Sequence, residues 1–380
     1  MNHTFLSFVN NGVGKLLIRG GIAMERLKMH QTDRKKASSM KDLHLKKLKD
    51  QVVVITGASS GIGLVTARMA AEKGAKVVVA ARNEEALQKL VEELQRKGHS
   101  AIYVKADVGK EEDVNAIAEA TLREFGRFDT WVNNAGISIF GHSMDVSTED
   151  MRRMFETNFW GVVYGSKAAV EHYKDRKTPG ALINVGALFG DRGTTIQSTY
   201  AAAKFAVHGW TESIRMELEK EHAPVSVTLV HPGRVDTPYN EHAMSYMDKQ
   251  PGHRGMIYPP EAVAEAILYA AENPKRDLFV GSQAKIFAIL GRALPRFTDK
   301  LVEKVMYPTQ HLDRPSNPPE KSGLYHAGYG LHERGTTKGW VRSNSYYVKA
   351  AKHPIIITTA ITGAGALLLM AAKKKKKMKM

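Results

Sequence analysis

The chain has 380 residues, 43% hydrophobic and 25% charged, which is ordinary for a globular protein with one large core or two smaller ones. It contains no cysteine, so disulfides, thiolate metal sites and a cysteine nucleophile are excluded, and no metal site is expected. The formal net charge of +16 is concentrated at the ends: residues 1–50 hold 11 Lys/Arg against 4 Asp/Glu, and six lysines follow Ala372. Such ends are typical of solvated or membrane-surface segments, and no nucleic-acid partner is expected.

From Gln51 onward, short apolar runs alternate with stretches of helical periodicity. The runs predict seven strands, at 52–55, 76–81, 102–104, 130–133, 181–185, 225–230 and 278–280. Between them, helices are predicted at 62–73, 84–97 (capped by Asn83), 111–125, 147–176, about 198–221 and 260–273. The alternation predicts an α/β fold, a doubly wound parallel seven-stranded Rossmann sheet with helices on both faces.

Changes of composition divide the chain into four parts. They are a basic and flexible leader at 1–49, the Rossmann domain at 50–283, a helical and irregular extension at 284–353, and an apolar helix with a poly-lysine tail at 354–380. The leader has no secretory signal, because its apolar run is too short.

Residues 354–372 carry no charge and are just long enough to span a membrane as a helix. A membrane-spanning helix, an interfacial helix and a helix packed on protein all remain open, because the adjacent lysines resist translocation. The expected location is the cytoplasm or the cytoplasmic face of a membrane.

A glycine-rich turn follows the first predicted strand and opens the first helix. It reads Thr56-Gly57-Ala58-Ser59-Ser60-Gly61-Ile62-Gly63. The glycines permit a tight turn and close approach of the backbone to phosphate, and the helix N-terminus attracts pyrophosphate. The turn therefore predicts a dinucleotide site, with Gly57, Ser59, Ser60, Gly61, Ile62 and Gly63 as binding residues.

The end of the second strand reads Ala80-Ala81-Arg82, without an acid. An Asp or Glu there would bind the ribose 2′-hydroxyl of NAD(H), whereas a basic residue accepts the 2′-phosphate of NADP(H). We therefore expect NADP(H) rather than NAD(H), the alternative being that Arg82 is a solvated strand-end residue.

Tyr200 and Lys204 are four residues apart and share a helix face. A lysine ammonium beside a phenol favours the phenolate and lowers the phenol's pKa, so the pair can move a proton to or from an oxygen. Many unrelated Tyr/Lys pairs have this spacing, so the pair is informative only together with its neighbours.

Together with Asn133-Asn134-Ala135-Gly136 and Pro232-Gly233, these motifs resemble the short-chain dehydrogenase/reductase family over about residues 50–283. The resemblance implies that Asp107 and Val108 flank the adenine. It also implies that Asn134, Ala135 and Gly136 support the sheet beside the cofactor, and that Pro232, Gly233, Val235 and Thr237 approach the nicotinamide.

The family's catalytic group is Asn, Ser, Tyr and Lys. Asn158 matches the first, although a helix-kinking amide is an alternative. By the resemblance, Tyr200 is the general acid in reduction, and Lys204 also holds the nicotinamide ribose. The serine position, however, is Ala187. Losing one donor to the substrate oxygen typically lowers the rate by about 10²–10³, and Thr194, Thr195 and Ser198 are not placed to replace it.

We expect an NADP(H)-dependent oxidoreductase acting on a lipophilic alcohol or carbonyl and impaired by Ala187. The substrate pocket is expected between Ile139-Phe140, Phe189 and the Met-rich loop 238–258. The alternatives are a catalytically weak Rossmann protein that binds cofactor and a partner, and a membrane-surface scaffold. The resemblance also implies a homo-oligomer formed through helices 147–176 and 198–221.

Overall fold

The computed structural model describes residues 43–281, 289–291 and 293–336. Most of the predicted leader, and all of 354–380, lie outside the described residues. Within the described ranges, no helix is long and apolar enough to cross a membrane.

A seven-stranded parallel sheet forms the centre of the fold, as predicted. Its strands are β1 (Val52–Thr56), β2 (Lys76–Ala81), β3 (Ala101–Lys105), β4 (Thr130–Asn133), β5 (Gly180–Val185), β6 (Val225–Pro232) and β7 (Asp277–Val280). Their order across the sheet is β7-β6-β5-β4-β1-β2-β3, and every neighbouring pair is parallel. The order reverses direction between β1 and β4, and ligands of such sheets bind outside the carboxyl ends of the strands at that point.

Both faces of the sheet are covered, which explains why the strands are continuous apolar runs. All of β1 is buried, and its side chains alternate between two core clusters. Val53 and Ile55 belong to one cluster, and Val52 and Val54 to the other.

The main helices are α1 (Gly61–Glu72), α2 (Glu84–Arg96), α3 (Glu111–Phe125), α4 (Thr148–Phe155), α5 (Gly161–Arg176), α6 (Ser198–Lys220) and α7 (Pro260–Glu272), and two short helices follow β6 and β7 at Tyr239–His242 and Pro295–Leu301. The Asn83 side chain accepts a hydrogen bond from the Ala86 N–H and caps α2, as predicted. The single helix predicted at 147–176 is instead α4 and α5 joined by a π-helical turn, Glu156–Trp160. Insertions of this type are frequent at functional sites, and this one contains Asn158.

Packing of the domain extends beyond both predicted boundaries. On the N-terminal side, Leu48 is buried and Lys46 pairs with Asp129. In the extension, the short strand His311–Pro315 pairs antiparallel with Lys249–Pro251. Leu324 is fully buried in the same apolar cluster as Ala187 and Tyr200. The described part of the extension therefore packs on the domain, and Leu324 belongs to the domain's core.

Candidate active site

The glycine turn closes tightly against the loop that follows β4. Gly57 has a φ of +67°, and a Cβ there would lie 2.6 Å from the Ala135 Cα. A Cβ on Gly63 would lie 2.3 Å from the Gly57 carbonyl oxygen. Only glycine fits these two positions, so the turn at the start of α1 can pack directly against the loop after β4.

A groove follows this turn along the carboxyl ends of β1, β2 and β3. It is lined by residues predicted for the phosphate and adenosine end of a dinucleotide: Gly57, Ser59, Ser60, Gly61, Ile62, Arg82, Asp107 and Val108. Asn134, Ala135 and Gly136, predicted to support the sheet, and Thr237, predicted to approach the nicotinamide, also line it. The Asp107 carboxylate accepts hydrogen bonds from Arg153 and from the Gly109 N–H, which fixes its orientation.

Asn134 binds the end of β1, in keeping with the sheet-supporting role expected for it. Its side chain donates to the Thr56 carbonyl at 2.9 Å, and its N–H donates to the Thr56 hydroxyl at 3.1 Å. These bonds fix the separation of β1 and the loop after β4 where both line the groove.

A second pocket contains Tyr200 and Lys204, with Ala187, Phe189, Pro232, Gly233 and Val235 among its lining residues. It shares Ile62, Asn134, Gly136, Thr237 and Tyr239 with the groove. Because walls are shared, the two pockets form one continuous cleft that begins at Arg82 and ends at Tyr200. A dinucleotide needs a cleft of this kind, with a polar end for phosphates and a second end where the reaction takes place.

Tyr200 and Lys204 are brought together as predicted, but the state of the pair differs from the expectation. The Lys204 ammonium donates to the Val185 carbonyl at 2.9 Å and lies 5.9 Å from the centroid of the Tyr200 ring. Burial lowers the pKa of Lys204 to about 8 and raises that of Tyr200 to about 12. The expected lowering of the Tyr200 pKa is not found, because burial raises this pKa more than the hydrogen bond with Tyr239 lowers it.

Tyr239 lies beside Tyr200, although the sequence predicts it only as part of the loop around the substrate. Its ring meets the Tyr200 ring edge-on with the centroids 5.6 Å apart, and its hydroxyl hydrogen-bonds with that of Tyr200. Gln197 donates to the Tyr239 oxygen at 3.4 Å and to the Ser138 hydroxyl at 2.9 Å. The Tyr239 hydroxyl is thus held beside Tyr200, the predicted proton donor. The spacing of the two residues in the sequence does not indicate this contact.

Asn158 clamps the loop that follows β4. Its amide oxygen accepts from the Ile137 N–H at 2.8 Å, and its NH₂ group donates to the Ile137 carbonyl at 2.8 Å. A Cβ on Gly136 would lie 3.4 Å from this oxygen and 3.9 Å from the Lys204 Nζ. Asn158 therefore lies close to the lysine while its side chain supports the loop.

Ala187 lies in the pocket at the carboxyl end of β5, beside Tyr200 in the same apolar cluster. Its N–H donates to the His208 Nε2 at 3.4 Å. The hydroxyls of Thr194, Thr195 and Ser198 bind other groups, Gln310 in the first two cases and Ser143 in the third. None of these three side chains lines the pocket that contains Tyr200.

Behind Ala187, a buried cluster joins Asp191 to two histidines. His231 Nδ1 lies 2.9 Å and His208 Nδ1 3.4 Å from the Asp191 carboxylate. Although burial opposes it, the hydrogen bonds from the histidines hold the pKa of Asp191 well below its usual range. Burial likewise opposes protonation of His231, but Asp191 and Asp277 raise its pKa.

The three side chains are close enough to share a metal ion, with their ligand atoms within 4.8 Å of one another. The hydrogen bonds favour protons instead. His208 Nε2 accepts from the Ala187 N–H, so His208 Nδ1 carries the hydrogen and donates to Asp191. A metal on Nδ1 would move that hydrogen to Nε2, where it would face another N–H.

Of the residues predicted to surround the substrate, Phe189 and Tyr239 line the pocket. Ile139 and Phe140 are buried instead, because they pair with the short strand Met244–Ser245 and face the core. His253 also lines the pocket, and burial, reinforced by Arg234, lowers its pKa to about 3. It is a neutral polar group in a largely apolar wall.

Comparison with known proteins identifies the family. The sequence model described as short chain dehydrogenase matches residues 51–247. The chain belongs to this family. The oxidoreductase YxnA of Bacillus subtilis is 74% identical over 322 residues, covering 84% of this chain and 90% of the relative. The 3beta-hydroxysteroid dehydrogenase 1 of Eggerthella lenta is 33% identical over 232 residues, covering 60% and 88%.

Solved structures of short-chain dehydrogenases have the same fold. An alcohol dehydrogenase from Thermococcus sibiricus, complexed with 5-hydroxy-NADP, is 27% identical with a TM-score of 0.52, covering 60% of this chain and 95% of that one. A short chain dehydrogenase/reductase from Burkholderia phymatum, in complex with NAD, is 24% identical with a TM-score of 0.60, covering 72% and 100%. The chain is therefore an oxidoreductase of the short-chain dehydrogenase type that uses a nicotinamide cofactor.

Proposed function

We propose that this short-chain dehydrogenase uses NADP(H) to interconvert a lipophilic alcohol and the corresponding carbonyl compound. The observation behind the proposal is the continuous cleft, which has a basic residue, Arg82, at one end and the Tyr200/Lys204 pair at the other. The bound nicotinamide supplies or accepts the hydride. The residues of the chain have to bind the cofactor, orient the substrate and move one proton.

Tyr200 donates that proton to the substrate oxygen in reduction. With a pKa raised to about 12 by burial, its hydroxyl is protonated at neutral pH and ready to donate. The Lys204 ammonium, whose pKa is about 8, favours the phenolate that remains. Tyr239 donates a hydrogen bond to the same phenol and stabilises the phenolate further. Ala187 leaves the substrate oxygen without the donor that a serine would supply, so we propose that turnover is reduced.

Arg82 supports the choice of NADP(H). It ends β2 beside Asn83, with no acid at the strand end to bind a ribose 2′-hydroxyl. Calorimetry should show NADP⁺ binding at least about tenfold more tightly than NAD⁺, with the order reversed in Arg82→Asp. Arg96→Asp makes the same charge change on the exposed face of α2 and should leave the preference unchanged. Equal affinities in the unmodified protein would refute this choice of cofactor.

A lipophilic substrate is proposed because the reacting end of the cleft is built from apolar side chains. Leu188, Phe189 and Val235 line it together with the ring of Tyr239. One relative, from Eggerthella lenta, is described as a 3beta-hydroxysteroid dehydrogenase. A panel of lipophilic ketones and secondary alcohols, followed through cofactor absorbance, tests the proposal. Turnover confined to small hydrophilic substrates would contradict it.

We also propose two partners for the protein, a second copy of the same chain and a membrane. Trp160, Phe205 and Met216 are large apolar side chains exposed on or next to helices α5 and α6, which supports a homo-oligomer formed through this face.

Membrane contact through 354–380 rests on the sequence alone. If it occurs, deleting residues 353–380 should move the protein from the membrane fraction to the soluble fraction. Unchanged fractionation after the deletion would contradict membrane contact through these residues.

A further inference from the structure

A segment of the extension, residues 322–336, crosses the adenosine end of the cleft, and we refer to it as the strap. It is attached to the glycine turn by two main-chain hydrogen bonds. The Leu331 N–H donates to the Ser59 carbonyl at 2.8 Å, and the Gly61 N–H donates to the His332 carbonyl at 2.9 Å. Ion pairs fix its far end, Glu333 with Arg68 at 2.6 Å and Arg334 with Glu261 at 2.7 Å.

The strap is closely fitted to the surface beneath it. A Cβ on Gly330 would lie 2.2 Å from the Ala86 Cβ, and one on Gly335 would lie 2.5 Å from the Thr237 carbonyl oxygen. Such distances exclude any larger side chain unless the strap or its support moves. This close packing indicates that the contact between the strap and the surface beneath it is a specific part of the fold.

Arg82 is the side chain that the strap holds most directly. Its guanidinium donates through Nη2 to the Gly323 carbonyl and through Nη1 to the Leu324 carbonyl, the latter at 3.2 Å. Next to it, the Asn83 amide donates to the Gly328 carbonyl at 2.8 Å. A guanidinium has further N–H donors in a planar fork, so two carbonyl contacts orient the group and leave donors for an anion.

The strap leaves the groove open. Gly323, Ala327 and Gly328 line it together with residues of the glycine turn, so the strap forms part of the wall of the groove.

We propose that the strap is part of the cofactor site: it encloses the adenosine end and holds Arg82 so that the free guanidinium donors bind the 2′-phosphate. The proposal rests on the proposed use of NADP(H). The contacts to Arg82 come from main-chain carbonyls, and the burial of Leu324 in the core holds these carbonyls in place.

Gly330→Ala tests the proposal, because the added methyl collides with Ala86 and lifts the strap from α2. Calorimetry with NADP⁺, NAD⁺ and the fragment 2′,5′-ADP measures the result. We expect Gly330→Ala to weaken NADP⁺ and 2′,5′-ADP by about tenfold or more, and NAD⁺ by less than about threefold. In the double variant Gly330→Ala/Ala86→Gly the colliding atom is absent, so NADP⁺ affinity should return to within about threefold of the original. Ala86→Gly alone is the matched control.

Two results would overturn the proposal. Unchanged NADP⁺ affinity in Gly330→Ala would show that the strap is not part of the site. Tighter binding would show that the strap competes with the cofactor, for example because the His332 carbonyl occupies the Gly61 N–H. The unmodified protein separates this question from the choice of cofactor. If it prefers NADP⁺ and Gly330→Ala does not change that preference, the strap proposal fails alone. If the unmodified protein shows no preference between NADP⁺ and NAD⁺, the proposed use of NADP(H) is wrong, and the strap proposal, which rests on it, is wrong as well.

Discussion

The substitution Ala187→Ser restores the hydroxyl that the family places beside the catalytic tyrosine. Ala187 has extended backbone torsions, φ −164° and ψ 163°, which any residue adopts, so serine introduces no strain. Its side chain lies in the pocket with Tyr200, where a hydroxyl can reach a substrate oxygen. We expect faster hydride transfer with little change in NADP(H) affinity, because the new bond strengthens as charge develops on that oxygen.

The size of the gain depends on Tyr239. If no other group contacts the substrate oxygen, the serine should raise the rate by about 10²–10³. Tyr239 already hydrogen-bonds with Tyr200, so part of the deficit is compensated and we expect a gain of about 10–10². Tyr239→Phe should then lower the rate more with Ala187 than with the serine, since the two hydroxyls act on the same reaction centre.

Single-turnover oxidation of NADPH by a lipophilic ketone measures these rates. The comparison needs the unmodified protein, Ala187→Ser, Tyr239→Phe and the double variant, with Tyr200→Phe as an inactive control. If the serine changes nothing while Tyr200 remains essential, Ala187 is not a defect. If Tyr239→Phe also has no effect, the hydroxyl beside Tyr200 plays no part in proton donation.

Three further outcomes follow from the structure. Asp191→Asn should lower the free energy of unfolding by about 3 kcal/mol. That loss should be complete between about pH 4 and 6.5, and it should shrink as the pH falls towards the lowered pKa of Asp191 or rises through the raised pKa of His231; denaturant titrations that give one loss at every pH would contradict the ion-pair account. The rate of carbonyl reduction should fall as the pH rises through about 8, where Lys204 loses its charge; a flat profile would show that the ammonium is not needed. Phe205→Glu should reduce the oligomer size measured by light scattering, whereas Met144→Glu, at a side chain 91% exposed, should not; an unchanged size would place the interface elsewhere.

The sheet and most of its helices could be predicted because their signals are local. Runs such as Val52–Ile55 are β-branched and apolar without interruption, which is typical of strands buried on both faces. The π-helical turn at Glu156–Trp160 could not be predicted, since it accompanies a tertiary contact between Asn158 and the Ile137 backbone. Periodicity contains no information about such a contact.

The residues of the candidate site also divide into those that could be predicted from the sequence and those that could not. Tyr200, Lys204 and the glycine turn follow from motif spacing, and the structure brings them into one cleft. The position of Tyr239 beside Tyr200 depends on how the loop after β6 folds back, which no spacing indicates. The strap could not be predicted either, because its glycine-rich sequence has no periodic pattern and it contacts Arg82 through its main chain.

The most direct test of the central claim is transfer of hydride from NADPH to a carbonyl substrate, observed as loss of the nicotinamide absorbance in a single turnover. A panel of lipophilic ketones should include substrates that oxidise bound NADPH with the unmodified protein and faster with Ala187→Ser. Tyr200→Phe should abolish the reaction in both backgrounds while still binding NADPH. A rate that survives Tyr200→Phe, or an Ala187→Ser protein that binds NADPH and reduces no carbonyl on the panel, would contradict the assignment.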